Sequence, residues 1–314
     1  MERILVIGAQ GQIGSELTEA LAERHGTGAV LATDIAARGS GRVAYEALDV
    51  LDAERLAAVV RGHGITQIYQ LAAMLSATGE QMPARAWNLN VNGLVNTLEL
   101  AREWGQRVFW PSSIAAFGPS TPREATPQTT VMEPASLYGV SKRSGELLCG
   151  YYHARYGVDV RSLRYPGVIG WKAPPGGGTT DYAIEIFAAA KRGEVYTCFL
   201  GPDASLPMIY MDDAVRATLE LMAADSARIS VRSSYNLAGL SFSPAQLAAA
   251  IADRVPGFSI RYLPDFRAAI AEGWPRSIDD SVARADWGWA TRWGMDGIVD
   301  DMLAHVPTRW GRQG

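Results

Sequence analysis

The chain opens with a short run, Ile4-Leu5-Val6-Ile7, that is apolar throughout and ends in glycine. A run of this length with no polar alternation predicts a strand buried on both faces of a parallel sheet. A helix follows, with Ile13, Leu17, Ala20 and Leu21 on one face. Residues 29–33 predict a second strand, ending at Asp34. Asp52 predicts a helix cap, with Leu56, Val59 and Val60 turned inward behind it. The pattern continues with a strand over 65–73, a long helix over 83–104 and a strand over 108–113. The segment LYGVSKRSGELLCGYYHARYG reads as another helix, and 158–165 as another strand. Strands alternating with helices at this pitch predict an α/β fold built on a doubly wound parallel sheet.

After Pro166 the pattern loosens. WKAPPGGGTT is punctuated by Pro and Gly and predicts a loop. A helix from about residue 181, a short strand over 195–199, an apolar run over 206–211 and a helix opening at Asp212 or Asp213 come next. Beyond Tyr235 the elements are short and rich in Trp and Pro. The division this predicts is a dinucleotide-binding domain over 1–165 and a smaller C-terminal α/β lobe, mostly substrate-binding, over 166–314. The helix near 213–224 is expected to return to the main sheet.

Composition narrows the classes. Hydrophobic residues make up 48% and charged residues 20%, as in a globular protein. The net charge of −4, with no Lys/Arg-rich run, argues against nucleic acid as a partner. The two cysteines, Cys149 and Cys198, and the four scattered histidines offer no metal-ligand spacing, so no metal is expected. The N-terminal apolar run is too short for a signal-peptide core, and no run is long enough to span a membrane. A cytoplasmic location without membrane association is the expectation.

Gly8-Ala9-Gln10-Gly11-Gln12-Ile13-Gly14 lies directly between the first strand and the first helix. Glycines there permit a tight turn and bring backbone N–H groups, with the positive end of a helix, against a pyrophosphate. Asp34, twenty residues past Gly14, ends the next strand, where a carboxylate bonds both adenosine ribose hydroxyls. It repels a 2′-phosphate, which favours NAD, while Arg38 and Arg42 nearby keep NADP open. The sheet is thus of Rossmann type. Asp49-Val50 reads either as the flank of the adenine or as a turn before the Asp52 cap. Leu71-Ala72-Ala73 ends a strand in small residues that let a cofactor lie close. Asn90 and Asn92 sit in a predicted helix, where a buried asparagine needs a bonding partner.

Tyr138 and Lys142 are four residues apart on a predicted helix, so their side chains stack on one face. A nearby ammonium favours phenolate, and a tyrosine so tuned can take a proton from an alcohol. Ser112 and Ser113 end a strand whose carboxyl end faces the ligand crevice. Either can bond the oxygen that Tyr138 deprotonates, or simply cap the next turn.

The glycine run, PSSIAAFG, YGVSK and LRYPGVIG together resemble the extended short-chain dehydrogenase/reductase superfamily. LRYPGVIGWKAPPGGGTTDYAIEIF, LPMIYMDDAVRATLELM, YNLAGLSFSP and WPRSIDDSVARADWGW resemble its L-threonine 3-dehydrogenase branch. The glycine run departs from the T-G opening of many superfamily members. The resemblance implies NAD-dependent oxidation of the Cβ hydroxyl of L-threonine to 2-amino-3-oxobutanoate. Tyr138 is then the general base, Lys142 its electrostatic partner and ribose contact, and Ser113, or its neighbour Ser112, the hydroxyl partner. Cofactor contacts are expected from Gly8, Gly11, Gln12, Ile13, Gly14, Asp34, Asp49, Val50, Leu71, Ala72, Ala73, Asn90, Tyr138, Lys142, Tyr165 and Ile169. A zwitterionic substrate needs sites for a carboxylate and an ammonium. Gly178, Thr179, Thr180 and Asp181 at a helix start supply donors and a charge, though the same residues also read as a cap, and Ser76 is a further contact. Arg164, Trp171 and Trp274 are noted without an assigned role. The superfamily further implies a homodimer through the helices near 86–104 and 136–156. A nucleotide-sugar epimerase or dehydratase, and a non-catalytic NAD-binding regulator, are the alternatives.

Overall fold

The computed structural model describes residues 2–39 and 41–310. The chain begins β1 (Ile4–Ile7), α1 (Gln12–His25), β2 (Val30–Asp34), β3 (Ala44–Ala47), α2 (Ala53–Gly62) and β4 (Gln67–Gln70). It continues through α3 (Ser76–Gln81), α4 (Pro83–Trp87), α5 (Gly93–Trp104), β5 (Arg107–Ser113), α6 (Leu137–Tyr156) and β6 (Val160–Tyr165). The remainder holds β7 (Gly167–Ile169), α7 (Tyr182–Arg192), β8 (Tyr196–Cys198), β9 (Leu206–Tyr210), α8 (Met211–Ala223) and β10 (Tyr235–Asn236). It ends with β11 (Leu240–Phe242), α9 (Pro244–Ala252), β12 (Ile260–Tyr262), α10 (Phe266–Glu272), α11 (Ser281–Trp287) and α12 (Met295–His305).

Seven strands form the main sheet in the order β10-β6-β5-β4-β1-β2-β3, all parallel. This is the doubly wound order, whose direction reverses beside β1. Alternation along β1 explains why the strand must be apolar throughout. Ile4 and Val6 pack toward α1 and α8, while Leu5 and Ile7 pack toward α2. The C-terminal lobe carries a three-stranded sheet, β11-β9-β7, and a two-stranded one, β12-β8. Its core gathers Tyr182, Phe187, Phe199, Ile298, Val299 and Met302. Helix α8 leaves that lobe and packs on α1 and β6. Among the described residues no helix is long and apolar enough to cross a membrane.

Helix α3 and strand β7 were not predicted, and two further differences are instructive. The helix over 83–104 is not continuous: α4 passes into a π turn at Asn88–Asn92 before α5. The π turn carries Asn90 inward, where it bonds the backbone of Met74 in both directions and the hydroxyl of Ser141. Strand β3 was not anticipated. It is a short edge strand with no buried position, so it carries no apolar signature.

Candidate active site

The glycine turn is shaped by backbone contact. Gly8 has φ +81°, and a Cβ there would lie 2.7 Å from the Ala72 nitrogen. A Cβ on Gly14 would lie 2.1 Å from the Gly8 carbonyl oxygen. The turn closes only without side chains at these positions. Asp34 holds its outer edge: Gln10 N donates to Asp34 Oδ2 at 3.0 Å and Ile35 N to Oδ1 at 2.8 Å. A cavity of about 180 Å³ lies beside it, lined by Gly8, Gly11, Asp34, Asp49, Val50 and Ala72. Asp49 lines this cavity and also accepts from Leu51 N in a turn.

Leu71 and Ala73 line this cavity and also a second of about 160 Å³. The two form one trough across the carboxyl ends of the strands. The second cavity gathers Gln12, Ile13, Ser76, Ser113, Tyr138, Lys142, Tyr165, and Gly178 to Asp181, residues far apart in sequence. Two further expected residues stand back from both cavities. Ile169 is fully buried in the lobe core, and Asn90 is committed to Met74 and Ser141.

Both serines line the second cavity, but their hydroxyls are held differently. Ser112 is buried, and its Oγ donates to Glu146 Oε1 at 2.6 Å. Ser113 stands beside Tyr138, close enough to act on its phenol, and caps the turn Ile114–Ala116 by accepting from Ala115 N. Helix α6 is itself capped by Ser136, which accepts from Gly139 N.

Lys142 does not touch the Tyr138 hydroxyl as the four-residue spacing suggested. Its Nζ donates to the Pro111 carbonyl at 2.6 Å and lies 4.6 Å from the Trp110 ring centroid and 5.4 Å from that of Tyr138. The expected lowering of the phenol pKa is therefore corrected. Burial pushes Tyr138 up to about 12, against the opposing effect of Ser113, and burial brings Lys142 down to about 7.

On the other wall, Asp181 Oδ2 accepts from the amides of Gly177 and Gly178, both at 2.8 Å. Burial nonetheless raises its pKa, with those amides and Arg267 opposing. The Thr179 hydroxyl oxygen and Gln12 Nε2 are buried with no hydrogen-bond partner among the described residues. Such atoms are costly unless a bound molecule completes them. The turn and Asp34 match the phosphates and ribose of a dinucleotide, and Gln12 offers it a further donor, so the residues present fit that cofactor. The sequence reading missed part of the wall. Leu75, Pro111, Ile114, Pro166, Gly167 and Val168 line it, and so does Trp274, which comes from the C-terminal lobe. Only Trp274 carried a signal, as a large aromatic flanked by Gly and Pro.

The model of the NAD dependent epimerase/dehydratase family matches residues 4–238. The chain belongs to that family. A GalE-like L-threonine dehydrogenase from Cupriavidus necator, solved in its holo form, is 62% identical, with a TM-score of 0.95 over 96% of this chain and 99% of its own. A monomeric L-threonine 3-dehydrogenase of metagenomic origin is 44% identical, with a TM-score of 0.93 over 96% and 97%. An uncharacterized epimerase/dehydratase of Staphylococcus haemolyticus is 46% identical over 98% of each chain.

Proposed function

We propose that this chain oxidises the Cβ hydroxyl of L-threonine to 2-amino-3-oxobutanoate, with NAD as acceptor. One observation carries the reading. Ser113 and Tyr138, with Lys142 behind them, face a wall of Thr179, Thr180 and Asp181 across a cavity of amino-acid size. The full-length likeness to solved L-threonine dehydrogenases supports the same choice. Ser113 and Tyr138 hold the hydroxyl, and Tyr138, as phenolate, takes its proton. NAD, when bound, supplies the two-electron acceptor for the Cβ hydride. The glycine turn and Asp34 hold its phosphates and ribose, and Lys142 meets the nicotinamide ribose. The unpartnered Thr179 hydroxyl, with Thr180 and Ser76, receives the carboxylate, and Asp181 supplies the charge for the ammonium.

The test follows NADH absorbance with L-threonine, other 3-hydroxy amino acids and UDP-sugars, using NAD and NADP in parallel. The expected result is NADH formed with L-threonine and NAD, and far less product with NADP. Turnover of a UDP-sugar without threonine oxidation overturns the reading in favour of an epimerase.

The chain is also proposed to pair with a second copy through α6 and the preceding helical segment. Part of the expected surface is already used inside the chain. Leu94, Leu98, Cys149 and Tyr152 are buried where α5 and α6 pack on β5. What remains is narrower: Val140, Leu147 and Tyr151, spaced to share one face of α6, with Trp87 and Tyr156 nearby, all exposed. Light scattering after size exclusion is expected to give a dimer, and Leu147→Glu a monomer. A monomeric native chain at micromolar concentration rejects this surface.

A further inference from the structure

Behind the Ser113–Tyr138 pair lies a buried ionic group to which the mechanism assigns no task. Glu146 sits one turn beyond Lys142 on α6 and is fully buried. Its Oε1 accepts from Ser112 Oγ at 2.6 Å and from Arg164 Nε at 2.8 Å. Its Oε2 accepts from Arg164 Nη2 at 2.9 Å and, at 3.5 Å, from Arg143 Nη1. Arg164 continues outward to the Gln128 carbonyl and to Asn236 Oδ1 on β10, each at 2.9 Å. A single carboxylate therefore ties the ends of β5 and β6 to α6.

We propose that Glu146 is a positioning residue: by holding Ser112 and Arg164 it fixes the end of β5, so that the Pro111 carbonyl and the Ser113 hydroxyl stand against Lys142 and Tyr138. The inference rests on the dehydrogenase reading of the site. Its logic is the order of contacts along β5. Ser112 is held by Glu146, while on either side of it the Pro111 carbonyl accepts from Lys142 and Ser113 stands beside Tyr138. A buried ion pair is a poor source of stability, and an apolar replacement often serves as well. Its worth here is geometric.

The charge has a second consequence. Around Lys142 the titratable groups are Tyr138, Glu146 and Cys149, all on α6, and from β5 it meets the Pro111 carbonyl and the Trp110 ring. Around Glu146 stand Arg143 on its own helix, Arg164 from β6 and the Ser112 hydroxyl from β5. Burial lowers the Lys142 pKa, and Cys149 and Glu146 oppose it when charged. Burial also raises the Cys149 thiol, chiefly by desolvation and further by Glu146, so it stays neutral near pH 7. That leaves Glu146, one turn along α6, as the group that opposes the effect of burial on Lys142.

The chain has three lysines, Lys142, Lys172 and Lys191, so carbon-13 labelling at lysine Cε gives a spectrum in which Lys142 is assignable by Lys→Arg exchange of the other two. Its titration needs neither substrate nor cofactor. Glu146→Gln is expected to lower the Lys142 midpoint by about one pH unit, because it removes an anion and leaves Arg164 unpaired. Arg164→Gln is expected to raise it, because it removes a cation and frees the anion. With L-threonine, each is expected to lower kcat roughly tenfold with KM within about twofold. A Lys142 midpoint unmoved in folded Glu146→Gln, or moved the same way by both variants, overturns the proposal. Should Glu146→Gln not fold by circular dichroism, Ser112→Ala unpairs no charge and is expected to displace the Lys142 resonance. An unmoved resonance then overturns it. Absence of L-threonine turnover in the native chain fails the dehydrogenase reading alone, since the titration is independent of it.

Discussion

Tyr138→Phe is expected to lower kcat for L-threonine oxidation by about 10²–10⁴-fold, the usual worth of a positioned general base. NAD affinity, read by quenching of intrinsic fluorescence, is expected to stay within a few-fold, because the ring and its neighbours remain. The variant removes one oxygen, which stands beside Ser113 at the cavity. The sign of the pH dependence follows from the same group. The base works deprotonated, so the native rate rises with pH. Burial holds the phenol near 12 in the structure, and an adjacent cation is what brings its working value down. Lys142 does not lower it in the structure, where its ammonium is on the Pro111 carbonyl; if it turns to the phenol in the proposed reaction, its own pKa near 7 makes its help weaken as pH rises above about 7. The rising limb is therefore expected to be shallower than that of one isolated group. Full activity in Tyr138→Phe, or a rate that falls with pH from 6 to about 8, sinks Tyr138 as the base.

The glycine turn and its flanking acid were legible because their geometry is local. The apolar β1, the glycines at 8, 11 and 14 and the acid at 34 lie within one strand–turn–helix–strand unit, so their spacing alone places them around one turn. The choice between Ser112 and Ser113 was not legible. It turns on which hydroxyl is taken by a distant partner, and Glu146, thirty-four positions away from Ser112, takes that one. The π turn was hidden for a similar reason: the Asn90 partners are at Met74 and Ser141. The four-residue spacing of Tyr138 and Lys142 correctly put both side chains in one cavity. It could not show that the ammonium would be taken by the Pro111 carbonyl, because that acceptor comes from β5. Side-chain spacing on one helix reveals proximity, and the competing partners from other elements decide the bond.

Gly139→Ala is expected to cost roughly 10² in kcat/KM although the new group is one methyl outside the cavity. Gly139 follows Tyr138 in the first turn of α6, and a Cβ there would lie 2.2 Å from the Ala115 carbonyl oxygen and 2.7 Å from Pro134 Cβ. Real Cβ contacts are essentially never under 3.0 Å, and the nearer obstacle is backbone. That carbonyl belongs to the turn Ile114–Ala116 that Ser113 caps, so the turn cannot yield without moving Ser113. The helix must retreat instead, by about an ångström, and Tyr138 goes with it. A displacement of that size at a proton-transfer pair is where a hundredfold loss arises. Gly150→Ala, on the same helix, is the control. Nothing lies within 4 Å of its added Cβ, so helix propensity alone should stabilise it slightly and activity should be unchanged. Thermal melts of both variants separate a displaced site from a lost fold. If Gly139→Ala keeps native kcat/KM, close approach of α6 to the turn after Ser113 is not what sets the reacting geometry.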